Sequence, residues 1–249
     1  MSTSRRRFLG LSALSLGAAR LSYANTSSGT ASWPEPIQKL KPMADGVVPI
    51  TAEERKQRIE KARELMAKEK MDAIFMEGTT ACTYFTGMRW GQSERTFGLV
   101  IPAKGPIAYV CPKFEEDRAR ELIIPEFGDE VRCWEEHESP YERIAGIVKD
   151  RGIRHGRIGM EERVRFFIVD GVKKASSQLE VVDATPVTAG CRMIKSAAEL
   201  ALMQKANDVT IEAYKAAFAA LTPGMSQSEF ANLISTAFSK LGYRGGASV

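Results

Sequence analysis

The chain has 249 residues, 44% hydrophobic and 27% charged, with a formal net charge of +4. That size buries a sizeable core, as one large domain or two small ones, and the composition excludes disordered and fibrous classes. Four of the 35 Lys and Arg lie in residues 1–24, which hold no acid, so the remaining basic residues balance the 31 Asp and Glu and argue against a nucleic-acid partner.

Residues 1–24 read as a twin-arginine-type signal peptide. Ser4-Arg5-Arg6-Arg7-Phe8-Leu9 precedes the apolar stretch "FLGLSALSLGAA", which is too short to span a bilayer at about 20 residues. Ser22-Tyr23-Ala24 fits a small-x-small cleavage site and puts the cut between Ala24 and Asn25. Export to the periplasm follows, with no integral membrane segment after processing. Residues 25–50 are rich in Ser, Thr, Gly and Pro and read as a linker or surface arm, with Trp33 and Ile37 available for docking. Cys82, Cys111, Cys133 and Cys191 are widely spaced, without C-x-x-C or zinc-ligand spacing, and no bridge is assigned.

Order begins at Thr51, which with Glu54 forms a capping box for a helix whose apolar stripe is Ile59, Ala62, Leu65 and Met66. "DAIFME" reads as a buried strand, and "CTYFTG" as another ended by Gly87. "FGLVIPA" and "IAYVCP" flank the turn Lys104-Gly105-Pro106 as a strand pair. "FEEDRARELII" is helical, "DEVRCWEE" a strand, and "SPYERIAGIVKDRG" a helix capped by Ser139, Pro140 and Glu142. "GRIGME", "RVRFFIVDGVKKAS" and "LEVVDAT" continue as strand, helix, strand. The alternation predicts an α/β domain over 51–190, a mixed sheet flanked by helices.

The texture changes after Pro186, with a boundary expected near 187–195. Ser196 and Glu199 cap one long helix with Leu200, Met203, Ala206, Thr210, Ala213 and Ala217 on its apolar side. "TPGMSQSEF" turns into a second helix, boxed by Ser226 and Glu229 and ended by Gly242. Residues 191–249 thus read as a helical hairpin.

A self-contained catalytic constellation is missing. His137 and His155 sit outside any metal or nucleophile motif, and Glu115-Glu116-Asp117 and Glu135-Glu136 read as solvated faces. The unusual stretch is the loop Arg89 to Arg95, which carries Arg89, Trp90, Glu94 and Arg95 between core strands. Arginine forks onto carboxylates and tryptophan offers an apolar wall. The competing reading is a plain connection in which Glu94 and Arg95 offset each other and Trp90 packs on the linker.

"YFTGMRW…SER…GLVIPAKG" resembles the N-terminal domain of the creatinase and Xaa-Pro peptidase family (aminopeptidase P, prolidase-like). The stretch with Arg192, Ile194, Lys195, Ser196 and Glu199, followed by Pro223, Gly224, Met225, Ser226 and Glu229, resembles the start of that family's pita-bread catalytic domain. The resemblance implies a creatinase-like N-terminal α/β domain followed by a hairpin from an incomplete α+β pita-bread domain. It implies a metal-dependent Xaa-Pro peptidase, dimeric in full-length form and acting on a peptide or small amide, and the leader makes it an exported one. Its two divalent ions (Mn, Co, Zn or Fe) would be held by two Asp, one His and two Glu on strands that follow these helices, so this chain is expected to hold none and to be inactive alone. Arg89, Trp90 and Arg95 would bound the substrate pocket of the neighbouring subunit. A stand-alone binding or regulatory module, and a creatinase-like hydrolase of non-peptide C–N bonds, stay open as alternatives.

Overall fold

The computed structural model describes residues 32–246. The leader, the Ala24–Asn25 cleavage position and the first part of the arm lie outside the described residues. The helices are α1 (Glu35–Gln38), α2 (Ala52–Glu69), α3 (Thr80–Thr86), α4 (Glu116–Leu122), α5 (Pro140–Asp150), α6 (Phe166–Ala175), α7 (Thr185–Met193), α8 (Ala197–Ala219) and α9 (Gln227–Lys240). The chain divides into two compact units, Ala44–Ile211 and Met1–Met43 with Glu212–Val249.

In the first unit, β1 (Ala73–Glu77), β2 (Gly98–Pro102), β3 (Ala108–Pro112), β4 (Glu130–Trp134), β5 (Gly156–Met160) and β6 (Leu179–Asp183) form one sheet in the order β4-β3-β2-β1-β5-β6. β1 pairs parallel with β5, β5 with β6, and β3 with β4, while β2 runs against both β1 and β3. The sheet is mixed, as the sequence pattern predicts. Because β2 alone is reversed, Gly98 at its start faces Glu77 at the end of β1. The whole β1–β2 connection therefore lies along the carboxyl edge of the five parallel strands.

Alternation along β1 divides the core. Ile74 and Met76 join Ile59, Ala62, Met66, Phe85, Val187 and Cys191 on the face covered by α2, α3 and α7. Ala73 and Phe75 join Ile144, Ile147, Ile168 and Val172 on the face covered by α5 and α6. β1 and β2 are buried throughout, as continuous apolar runs between two helical layers should be. Thr51 and Ser139 cap α2 and α5 by accepting the N–H of Glu54 and Glu142.

The expected strand at "CTYFTG" is instead the helix α3, closed by Gly87 at φ +79°. Its Thr and aromatic content suits a strand, but tertiary donors decide the outcome. Arg55 and Arg58 of α2 donate to the Thr83 and Tyr84 carbonyls at the helix end, each at 2.9 Å. Thr86 hydroxyl donates back to the Cys82 carbonyl at 2.8 Å. Cations on the last carbonyls favour the helix.

The segment after β6 also carries an element the sequence pattern misses. α7 starts at Thr185, whose N–H and hydroxyl both donate to the Asp183 carboxylate, with Pro186 in the first turn. The Arg192–Glu199 stretch then ties to α2. Ser196 hydroxyl donates to Glu54 at 2.9 Å, and buried Arg58 spans Glu54 at 2.8 Å and Glu199 at 3.3 Å. Ser196 also accepts the Glu199 N–H while Glu199 accepts the Ser196 N–H.

α8 buries the C-terminal part of the expected stripe, Ala213 and Ala217, and leaves its N-terminal part exposed. Val209, Ala213, Ala216, Ala217 and Ala220 are buried, whereas Leu200, Met203 and Ala206 are exposed. The buried part is the alanine-rich half of the stripe, where a neighbouring backbone can approach closely. In the second unit, Ile37 of α1 is fully buried while Trp33 stays 43% exposed. The Met43 N–H donates to the Leu241 carbonyl, and Tyr243 hydroxyl to the Met43 carbonyl. Phe218 packs on Phe230 at 5.2 Å, and Ser226 and Glu229 complete their reciprocal cap on α9.

Candidate functional site

The carboxyl edge of the sheet gathers the chemistry. Both neighbouring strands β1 and β5 run into a glutamate, Glu77 and Glu161, and both carboxylates are buried. Alternation puts Glu77 on the α6 side, where Arg165 at the α6 N-cap meets it. The Arg165 Nη2 and Nε donate to Glu77 Oε1 at 2.6 and 3.0 Å, and the Arg165 N–H to Oε2 at 3.0 Å. The same guanidinium reaches the Ser93 carbonyl at 2.6 Å and the Arg95 carbonyl at 3.4 Å. One arginine thus neutralises a buried carboxylate and fastens the β1–β2 loop to the sheet edge.

Trp90 is fixed from several sides. It stacks on Phe97 with ring centroids 3.8 Å apart and planes 14° apart, and the Arg118 guanidinium lies 4.4 Å from its ring. The Gly91 N–H donates to the Gly78 carbonyl at 3.3 Å. A Cβ on Gly78 would fall 2.8 Å from both Cβ and Cδ1 of Trp90, so only glycine lets the indole sit there. Trp90 packs on Phe97 in this arrangement.

Arg89 and Trp90 line a hollow of about 470 Å³ together with Thr79, Thr80, Gln92 and Arg163. Arg95 is not part of that lining. Its guanidinium pairs with Glu94 and, at 2.5 Å, with Glu136, and it lies over Phe114 at 5.3 Å. Behind the hollow, Glu161 accepts the Thr79 hydroxyl at 3.3 Å and the Arg163 N–H at 3.0 Å. Burial pushes its pKa up, against those two donors. Arg163, Arg165, Glu77, Glu161 and Gly78 escape the sequence reading. A usable signal exists: "AIFME" and "GRIGME" are apolar strands that each end in Met-Glu.

A pH test follows from Glu161. A carboxyl with a raised folded-state pKa favours folding while both states are protonated, and that contribution is lost as pH rises through its folded pKa. Glu161→Gln keeps an oxygen for the Arg163 N–H and cannot ionise. Its Tm should exceed that of the wild type at neutral pH by on the order of 2 °C and converge with it near pH 4. Parallel Tm–pH curves for the two proteins would show that Glu161 is not the group involved.

Among the described residues, no group of three His, Cys, Asp or Glu is placed to hold a metal ion. Glu115 pairs with Arg118, and Lys113 and Arg120 hold the Glu116 carboxyl down to about 2. His137 is exposed in a loop, and His155 lines a separate depression of about 660 Å³ with Lys149 and Ile153. The four cysteines are unbridged. Burial pushes the Cys82 and Cys111 thiols to about 12 and those of Cys133 and Cys191 to about 11, which suits packing rather than nucleophilic chemistry. No helix among the described residues is long and apolar enough to cross a membrane.

The model of the creatinase/prolidase N-terminal domain matches residues 58–194. An uncharacterized peptidase of Schizosaccharomyces pombe is 30% identical over 211 residues, covering 80% of this chain and 45% of that protein. Among solved structures, a dipeptidase from Pyrococcus horikoshii OT3 superposes with a TM-score of 0.61 at 24% identity, over 74% of this chain and 50% of that one. Dipeptidase PepE from Mycobacterium ulcerans gives 0.65 at 24%, over 74% and 48%. A prolidase from Thermococcus sibiricus gives 0.65 at 22%, over 77% and 50%. At these identities the structures speak for the fold. The chain spans about half the length of each of these relatives.

Proposed function

The chain belongs to the creatinase/prolidase N-terminal domain family, and from that membership we propose that it is the N-terminal part of an exported, metal-dependent Xaa-Pro peptidase. In this reading, the edge loop Arg89–Arg95 supplies a wall of the substrate pocket, offered to the catalytic half of a second subunit in a homodimer. The observation that carries it is that Arg89 and Trp90 line one hollow, with Trp90 held by Phe97, Gly78 and Arg118. A wall fixed before substrate arrives loses little entropy on binding. Arg89 would meet a carboxylate and Trp90 an apolar side chain. Arg95, committed to Glu94 and Glu136, would hold the loop's shape rather than touch substrate. The twin-arginine-like leader supports export.

Hydrolysis would depend on the two divalent ions and on residues outside this chain. The 249-residue protein supplied with Mn²⁺, Co²⁺ or Zn²⁺ is expected to release no proline from an Xaa-Pro dipeptide above a metal-free control. Measurable metal-dependent release would contradict the division of labour proposed here.

A further inference from the structure

We propose that the hollow beside Trp90 is an anion-binding site complete within this chain, in which Arg89 and Arg163 together hold one carboxylate or phosphate group. It rests on the loop reading above for its setting but needs neither metal nor a neighbouring subunit.

Arg89 comes from the β1–β2 loop and Arg163 from the β5–α6 turn, separate connections, yet both residues line the same hollow. The other arginines of this edge have acidic or aromatic partners: Arg165 holds Glu77, Arg95 holds Glu94 and Glu136, and Arg118 holds Glu115 and covers Trp90. Among the described residues, neither the Arg89 nor the Arg163 side chain makes an ion pair. Two cations that face one small space without a counter-charge repel each other, and an oxyanion between them reverses the sign of that interaction.

The rest of the lining agrees. It carries no carboxylate. The nearest buried acids are already answered, Glu77 by Arg165 and Glu161 by the Thr79 hydroxyl and the Arg163 N–H. Thr79 and Thr83 hydroxyls are spent on Glu161 and on the Met88 carbonyl. Thr80 and Gln92 remain as neutral donors on the lining. Trp90 forms a rigid apolar side next to the two cations. A hollow of about 470 Å³ suits a ligand the size of a dipeptide terminus or a small phosphate compound. It is open to solvent, so the expected affinity is about millimolar or somewhat tighter.

The test is calorimetric titration of the full chain at low ionic strength with three probes: acetyl-Ala-Pro with a free carboxylate, the same peptide as its C-terminal amide, and inorganic phosphate. Saturable binding of the free acid, loss with the amide, and at least about 10-fold weakening by either Arg89→Gln or Arg163→Gln would support the site. Lys149→Gln, in the depression around His155, should leave binding unchanged. Tighter binding of phosphate than of the free acid, with the same dependence on both arginines, supports the site and assigns it to a phosphate ligand. No saturable binding of either anion, or binding that survives both substitutions, overturns the proposal. Neither result bears on proline release by the chain, so this failure is distinct from failure of the peptidase reading. Both arginines are exposed, so these variants should fold.

Discussion

Arg165→Met is expected to cost about 3–5 kcal/mol of stability, the range for breaking a buried ion pair by removing one partner. For a chain of this size that is a fall in Tm on the order of 6–20 °C. Glu77 is 1% exposed and its oxygens take three donors from Arg165. The variant keeps the backbone N–H but strands the carboxylate without its guanidinium. Arg165 itself is partly exposed, which places the expected loss toward the lower end of the range. The double variant Glu77→Gln/Arg165→Met removes the stranded charge and should recover most of the loss. Because the Ser93 and Arg95 carbonyls also lose their donor, amide exchange across 90–96 should rise in both variants. A Tm within about 1 °C of the wild type for Arg165→Met would mean that solvent already screens the pair.

The parts of the molecule that depend on near neighbours were legible. The Ser226 and Glu229 box needs residues three apart, and it forms as read. The strands β1, β2 and β3 are short apolar runs bounded by Gly, Pro and charges, and the β2–β3 pair follows from its Gly-Pro turn. What was hidden depends on residues far along the chain. α3 is a helix because Arg55 and Arg58, 28 and 26 residues before the carbonyls they meet, cap its end. α8 buries Ala213 and Ala217 as read but leaves Leu200 and Met203 of the same stripe exposed, because periodicity shows which residues share a side and not which turns of the helix are covered.

The same distinction divides the site. The loop with Arg89 and Trp90 stood out because arginine and tryptophan are unusual between core strands. Their partners did not, since Arg165 is 88 residues from Glu77 and Glu161 is 82 from Thr79. Only the parallel pairing of β1 with β5 brings those two connections to one edge. Arg95 parts from Arg89 through the adjacent Glu94, which the sequence offered as its partner, and through Glu136, 41 residues away, which it did not.

The most direct test is the kinetics of Trp90→Ala and Arg89→Ala in a longer protein that adds the metal-binding half proposed above. Trp90 is held in place by its stack on Phe97 and by the missing Cβ of Gly78, so deleting the indole removes a wall that nothing nearby replaces. Arg89 is exposed and has no ion-pair partner among the described residues, so its loss should leave the fold intact. Each substitution is expected to lower kcat/KM for an Xaa-Pro dipeptide by at least about 10-fold, with metal content unchanged and Tm within about 2–4 °C of the wild type. Arg95→Ala should act mainly on stability. Wild-type kcat/KM in both Trp90→Ala and Arg89→Ala, or losses that track Tm alone, would contradict the account and leave the loop as scaffold.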